Sequence, residues 1–187
     1  DRRGDWVLKR TGLVHSSGAA IGAWLTALRR RGIDVVAPAG HLEPNPRRLA
    51  DGHEWVVYPF ISGTAYRGEA DQIASTGRLL GRIHAADPPK AHRLATHEGP
   101  VVRPAEWVER HLASACAAMC GVGLDPSDLE ALVAKRLASA APVDGLPLAG
   151  CCCDFKAANL VFGPLPTLVD PDHAAGMPRL CDLAVAL

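Results

Sequence analysis

Residues 148–172 read Leu-Ala-Gly-Cys-Cys-Cys-Asp-Phe-Lys-Ala-Ala-Asn-Leu-Val-Phe-Gly-Pro-Leu-Pro-Thr-Leu-Val-Asp-Pro-Asp. Asp154 and Asn159 stand five apart on a tight loop, and an apolar run, Leu160 to Phe162, leaves that loop. Gly163-Pro164 with Pro166 supplies a turn. A second run, Thr167 to Val169, then ends on Asp170, with Asp172 two residues further on. A short turn joins antiparallel neighbours, so the two runs predict a hairpin. The hairpin returns Asp170 to the side of Asp154 and Asn159. Two carboxylates and an amide then surround one point, and all are hard oxygen ligands of the kind Mg²⁺ takes beside a phosphate.

This stretch resembles the catalytic loop and metal loop of the protein-kinase-like phosphotransferases, in particular the aminoglycoside phosphotransferase and choline kinase branch. The catalytic loop of that family runs roughly His-Gly-Asp-x-x-x-x-Asn, and Cys152, Cys153, Asp154 and Asn159 stand at the matching positions. Asp170 matches the metal-binding aspartate that opens the second loop, and Cys181-Asp182-Leu183-Ala184 resembles the family's Asp-Leu-Ala helix start. The resemblance implies an α+β, protein-kinase-like, two-lobed fold. Residues 1–61 would form a small antiparallel-sheet N-lobe and residues 62–187 a mainly helical C-lobe, each incomplete.

The same resemblance implies roles for single residues. Asp154 would accept or orient the proton of an acceptor hydroxyl. Asn159 and Asp170 would hold Mg²⁺ bridging ATP phosphates, with Asp172 assisting at the metal. Lys156 resembles the lysine of the protein-kinase loop Asp-x-Lys-x-x-Asn and would stabilise the phosphoryl group in transfer, although a plain surface lysine reads equally well. Trp6-Val7-Leu8-Lys9 resembles the strand whose lysine neutralises the α and β phosphates. Pro59, Phe60 and Ile61 fall where the family's hinge pairs its backbone with adenine.

Two departures stand out. No acidic residue occurs between Leu13 and Arg31, so the helix glutamate that clamps the strand lysine in the family has no counterpart. Cys152 replaces the loop histidine, and a thiol is a weak hydrogen-bond donor. The implied activity is ATP- and Mg²⁺-dependent phosphoryl transfer to a hydroxyl of a small molecule, an aminoglycoside-type antibiotic or a metabolite. The alternative is a catalytically impaired, kinase-like nucleotide-binding module. In the family a glycine-rich hairpin would precede residue 1 and further helices would follow Leu187, so the sequence reads as a fragment.

Composition narrows the partners. Of 187 residues, 20 are Lys or Arg and 20 are Asp or Glu, giving a formal charge of zero. No electrostatic footprint for nucleic acid or an anionic membrane follows from that balance. Aromatic residues make up 5%, too few for platforms that stack single strands. There is no apolar run of membrane-spanning length and no basic-then-apolar leader. Of the six cysteines, Cys151, Cys152 and Cys153 are contiguous, and no paired Cys-x-x-Cys knuckles occur. Reduced, structural thiols in a cytoplasmic protein fit this pattern better than zinc or redox chemistry.

The remaining elements follow from periodicity. A strand is expected at 6–9, with Trp6 and Leu8 on one side and Val7 and Lys9 on the other. A helix over 16–31 is capped by Ser16 or Ser17, stripes Ile21, Trp24, Leu25 and Leu28, and ends at Gly32. Val35-Val36 and Glu54 to Phe60 read as further strands. Helices are expected over 69–86 (Ile73, Leu79, Leu80, Ile83), 104–120 and 125–139, the last opened by Asp125-Pro126. His84 reads as a core residue or a support for the catalytic loop. Glu106, Glu109 and His111 read as a solvated helix face that the resemblance sets near the acceptor.

Overall fold

A computed structural model describes residues 5–12, 15–86, 92–96, 104–139 and 146–186, with side chains there except at 104–107 and 110. The stretches between the expected helices, rich in Pro, His and Gly at 87–104 and reading as a loop at 142–147, fall largely outside them, and Glu106 lies outside the described side chains. The chain forms two compact units, Asp1–Thr96 with Pro147–Leu187, and His97–Leu146.

In the first unit, β1 (Trp6–Thr11) and β2 (Arg47–Arg48) flank β3 (Glu54–Pro59) in an antiparallel sheet. The helix α1 (Gly18–Arg30) follows β1. Ser17 is its cap, accepting from the Ala20 amide at 3.2 Å, and Arg29 and Arg30 face the negative end of the helix dipole. Ile21, Trp24, Leu25 and Leu28 are all buried in one core, each worth about 1.5–3 kcal/mol of apolar transfer. Gly150 belongs to this packing: a Cβ there would lie 2.6 Å from Trp24 Nε1.

The predicted hairpin forms. β6 (Leu160–Phe162) pairs with β7 (Pro166–Leu168) in antiparallel register, Leu160 opposite Leu168. A two-residue strand, β4 (Thr64–Ala65), adds to the other edge of β6. Gly63, just before it, is held to glycine because a Cβ would meet Phe162 O at 2.5 Å. A third pairing joins β5 (Leu148–Cys151) to β8 (Ala175–Pro178). Two more helices complete the unit, α2 (Ala70–His84) and α5 (Leu180–Ala186).

Three expectations need correcting. Val35-Val36 is not a strand of the first sheet. Val35 makes an isolated parallel bridge to Leu168, and Val36 N donates to Leu168 O at 2.8 Å, because Pro38 ends the extended run before a ladder can grow. Ile73 is 56% exposed, since only the last two turns of α2 are covered, by Leu79, Leu80, Ile83 and His84. Gly176-Met177-Pro178 reads in the sequence as a turn before the helix start at Cys181-Asp182, but residues 175–178 form a fully buried strand.

The second unit holds α3 (Pro104–Gly121) and α4 (Ser127–Ala138). Asp125 Oδ1 accepts from the Ser127 amide at 3.0 Å, with Pro126 at the cap. No residue of α4 is buried, and Glu109 and His111 on α3 are exposed. No helix among the described residues is long and apolar enough to cross a membrane.

Candidate active site

The loop after β5 is fixed from behind by one carboxylate. Asp182, in the first turn of α5, has no exposed surface. Its Oδ2 accepts from the Cys152 amide at 3.0 Å and its Oδ1 from the Cys153 amide at 2.7 Å. His84, at the end of α2, brings Nε2 to 2.9 Å from the same Oδ2, so the ring nitrogen is the donor. Cys153 sits at φ +57°, a left-handed conformation that a side chain adopts only under constraint. The amide bonds of Cys152 and Cys153 to Asp182 are the constraint that holds a cysteine there.

His84, Cys151 and Asp182 place three ligand-type atoms within 4.8 Å of one another. All are already engaged, with Cys151 Sγ donating to Met177 O at 3.3 Å. Burial, reinforced by the charge of Asp182, pushes the Cys151 and Cys152 thiols up and Cys153 up to about 12. All six cysteines are free thiols. The buried cluster is therefore a brace behind the loop.

In front of the brace, Asp154 is held by one oxygen. Its Oδ2 receives Asn159 Nδ2 at 2.9 Å and lies 2.8 Å from Lys156 Nζ. Asn159 Nδ2 also donates to Asp154 O at 2.9 Å. Both acceptors face the amide nitrogen, which fixes the orientation of the Asn159 side chain and leaves Oδ1 as the atom able to ligate a cation. Asn159 is 5% exposed and ends a 3₁₀ turn, Ala157–Asn159, that leads into β6.

The hairpin brings the backbone just before Asp170 beside Asn159. Val169 N donates to Asn159 O at 2.8 Å, one residue before Asp170. Asp170 lies at φ +57°, so the chain turns sharply there. Lys9, on β1, contacts Asp170 Oδ1 and lies 2.8 Å from Asp172 Oδ2. Burial lowers the basicity of Lys9, but its hydrogen bonds to the two carboxylates outweigh that effect and hold its pKa above the ordinary value.

Lys9 and Asp170 stand in the wall of a cavity of about 260 Å³. Its other walls are mostly apolar: Val7, Val36, Val161 and Val169, with Pro59, Phe60 and Ile61 along one edge. Val7 and Lys9 therefore share a strand face, as their alternation requires. A second cavity, of about 550 Å³, shares Phe60, Ile61 and Val161 with the first and reaches Ala157 and Ala158 of the loop.

Sequence reasoning missed three contributors. Thr11 Oγ1 donates to Asp172 Oδ1 at 3.0 Å, and both groups are buried. Tyr58 is buried beside them, and burial with the charges of Asp172 and Asp170 pushes its phenol up. Alternation along β1 could have flagged Thr11, two residues from Lys9. The third is Asp182 as the acceptor of the two loop amides; its place at a helix start was visible, its partners were not.

The phosphotransferase enzyme family model matches residues 1–187. No curated protein matches the chain. Among solved structures, a spectinomycin phosphotransferase in complex with ADP and spectinomycin superposes with a TM-score of 0.69 at 18% identity, over 98% of this chain and 61% of that one. An amicoumacin kinase in complex with AMP-PNP and Ca²⁺ gives 0.60 at 17% identity, over 100% and 58%. The GDP complex of an aminoglycoside 2'-phosphotransferase-IIIa gives 0.58 at 15%, over 96% and 64%. The chain thus spans about three fifths of the length of these structures. At such identities the likeness shows the fold, an α+β kinase-like one.

Proposed function

The chain belongs to the phosphotransferase enzyme family, and from that premise we propose that it takes part in ATP- and Mg²⁺-dependent phosphoryl transfer to a hydroxyl of a small molecule. Residues 1–61 act as the nucleotide-facing lobe, and residues 62–187 carry the catalytic and metal loops. The observation that carries the reading is the joining of two locked groups. Asp154 and Asn159 hold each other on one loop, and Lys9 meets Asp170 in the wall of an apolar cavity one hairpin residue away.

Phosphoryl transfer asks for positioning and charge neutralisation rather than covalent work by the protein. The apolar cavity, with Pro59, Phe60 and Ile61 in its lining, would take the adenine ring. Lys9 has three protons, and its two carboxylate contacts leave one for the α and β phosphates. Asn159 Oδ1 and the Asp170 carboxylate would hold Mg²⁺. Both are hard oxygen donors, and the ammonium lying against Asp170 indicates that this carboxylate accepts a cation. Bound there, Mg²⁺ would supply neutralisation of the phosphate charge.

Asp154 is suited to the acceptor. With Oδ2 held by Asn159 and Lys156, Oδ1 is the oxygen left to take the proton of an attacking hydroxyl. Lys156, half exposed and paired with Asp154, would meet the transferring group. An aminoglycoside-type antibiotic or a hydroxylated metabolite is the acceptor class. The test is Asp154→Asn in the full-length protein, assayed with labelled ATP and a panel of hydroxylated acceptors. Transfer should fall at least ~10³-fold, and an unchanged rate would remove Asp154 from the chemistry.

A second reading, a nucleotide-binding module without turnover, draws on the lack of any acidic residue in α1 and on Cys152 in the histidine position. Calorimetric binding of MgATP with no product from any acceptor would favour it.

A further inference from the structure

Asp172 differs from Asp170 in ways that bear on what each can do. The Asp170 side chain is 46% exposed and opens on the apolar cavity. The Asp172 side chain is 7% exposed, and both of its oxygens are engaged. Oδ1 accepts from Thr11 Oγ1 at 3.0 Å, and Oδ2 lies 2.8 Å from Lys9 Nζ. Thr11 is 2% exposed, and Tyr58, 4% exposed, closes the same side. Lys9 and Thr11 are i, i+2 on β1, so one strand face presents both donors to one carboxylate.

Mg²⁺ demands octahedral geometry and keeps several of its waters. A carboxylate with almost no exposed surface and two committed oxygens offers no room for that shell. Reaching the cation would strip it of Thr11 and leave a buried charge short of partners. Among the described residues, the carboxylates against Lys9 are Asp170, which opens on the cavity, and Asp172, which is buried. The α1 sequence Gly-Ala-Ala-Ile-Gly-Ala-Trp-Leu-Thr-Ala-Leu-Arg-Arg carries no carboxylate. Glu54, the nearest acid on β3, is spent on capping that helix, where Oε2 accepts from the Gly18 amide at 2.5 Å.

We propose that Asp172 is a positioning residue for Lys9 rather than a ligand of the cation: it is the buried carboxylate that aims the lysine at the nucleotide phosphates in a fold whose helix supplies none. The proposal rests on the reading of Lys9 as a phosphate ligand. Asp170 keeps the metal role, and the two aspartates of Asp170-Pro171-Asp172 divide the work. Asp170, which also touches Lys9, is the one open to the cation, and Asp172 is the one committed to the lysine.

The experiment compares the full-length wild type with Asp172→Asn, Lys9→Met and the double variant, using three readouts. The first is KM for ATP. Asp172→Asn should raise it about tenfold when Lys9 is present and less than about twofold in the Lys9→Met background, because contacting residues couple. The second is the dissociation constant of Mn²⁺ with ADP, read by electron paramagnetic resonance. It should stay within about threefold of wild type in Asp172→Asn, whereas loss of a true ligand weakens metal binding by about 10–100-fold. A tenfold or larger weakening of Mn²⁺, with or without Lys9, overturns the proposal.

The third readout is the urea midpoint without nucleotide, where the two single losses should fail to add. If the wild type neither binds nor transfers, the functional reading fails, and this third cycle alone decides the pairing: additive losses overturn it. If Asp172→Asn does not fold, Thr11→Val keeps both carboxylates. It should raise KM for ATP only in the presence of Lys9 and leave Mn²⁺ affinity unchanged; the opposite pattern overturns the proposal.

Discussion

Replacing Asp182 tests the brace behind the catalytic loop, and the size of the effect follows from its bonds. The buried amide of Cys152 and the part-buried amide of Cys153 donate to its two oxygens at 3.0 and 2.7 Å. Hydrogen bonds to a charged group contribute about 1.5–3 kcal/mol each, so Asp182→Ala should destabilise the fold by about 3–6 kcal/mol. That approaches the whole stability of an ordinary domain, about 5–15 kcal/mol. Asp182→Asn is the better instrument. It keeps one acceptor for the Cys153 amide and turns an NH₂ toward the Cys152 amide. About half the loss, ~2–3 kcal/mol, should result. The assay is urea unfolding of the full-length protein together with steady-state kinetics. We expect kcat to fall at least ~10-fold, because Asp154 follows Cys153 directly and positioning dominates this chemistry. KM for ATP should stay within about threefold, because the loop moves and the nucleotide cavity does not. An Asp182→Asn protein within about 0.5 kcal/mol of wild type and with unchanged kcat would refute the reasoning.

Three other outcomes are expected. Cys153 is left-handed at φ +57°, so Cys153→Val should destabilise by at least ~2 kcal/mol in urea unfolding, while Cys153→Gly should lie within ~1 kcal/mol of wild type. Equal losses in both would mean that the side chain, not the backbone, decides. The raised thiols also set a pH dependence. The folded chain keeps protons that the unfolded chain loses near pH 9.0, so their contribution is whole below that pH and falls as pH rises toward about 12. Urea midpoints should therefore drop between about pH 9 and pH 10.5, less steeply in Cys153→Ala; identical slopes would count against it. Lys156→Ala should lower kcat at least ~10-fold with KM for ATP little changed. A normal kcat would return Lys156 to a surface role.

The hairpin was legible because its turn is spelled by Gly163-Pro164 and its end by a charged residue, so the two strands could pair in only one sensible way. The cap of α1 was legible for the same local reason: Ser17 sits just before an apolar stripe. Non-local pairings were not. Residues 175–178 contain Gly176 and Pro178, which argue against a strand, yet β5 gives them a ladder and burial covers both faces. Ile73 fits the helical stripe of α2 by spacing, but the other elements reach only the last two turns. The partner of Lys9 lay 161 residues away. Sequence named Asp170 and Asp172 but could not show that both lie against Lys9.

The most direct measurement is a crystal structure of the full-length protein with Mn²⁺ and an ATP analogue, located by anomalous scattering. The account predicts one manganese ion directly coordinated by both Asn159 Oδ1 and an Asp170 oxygen, in the site that octahedral Mg²⁺ would take. An ion bound by only one of these residues, or by neither, would contradict it.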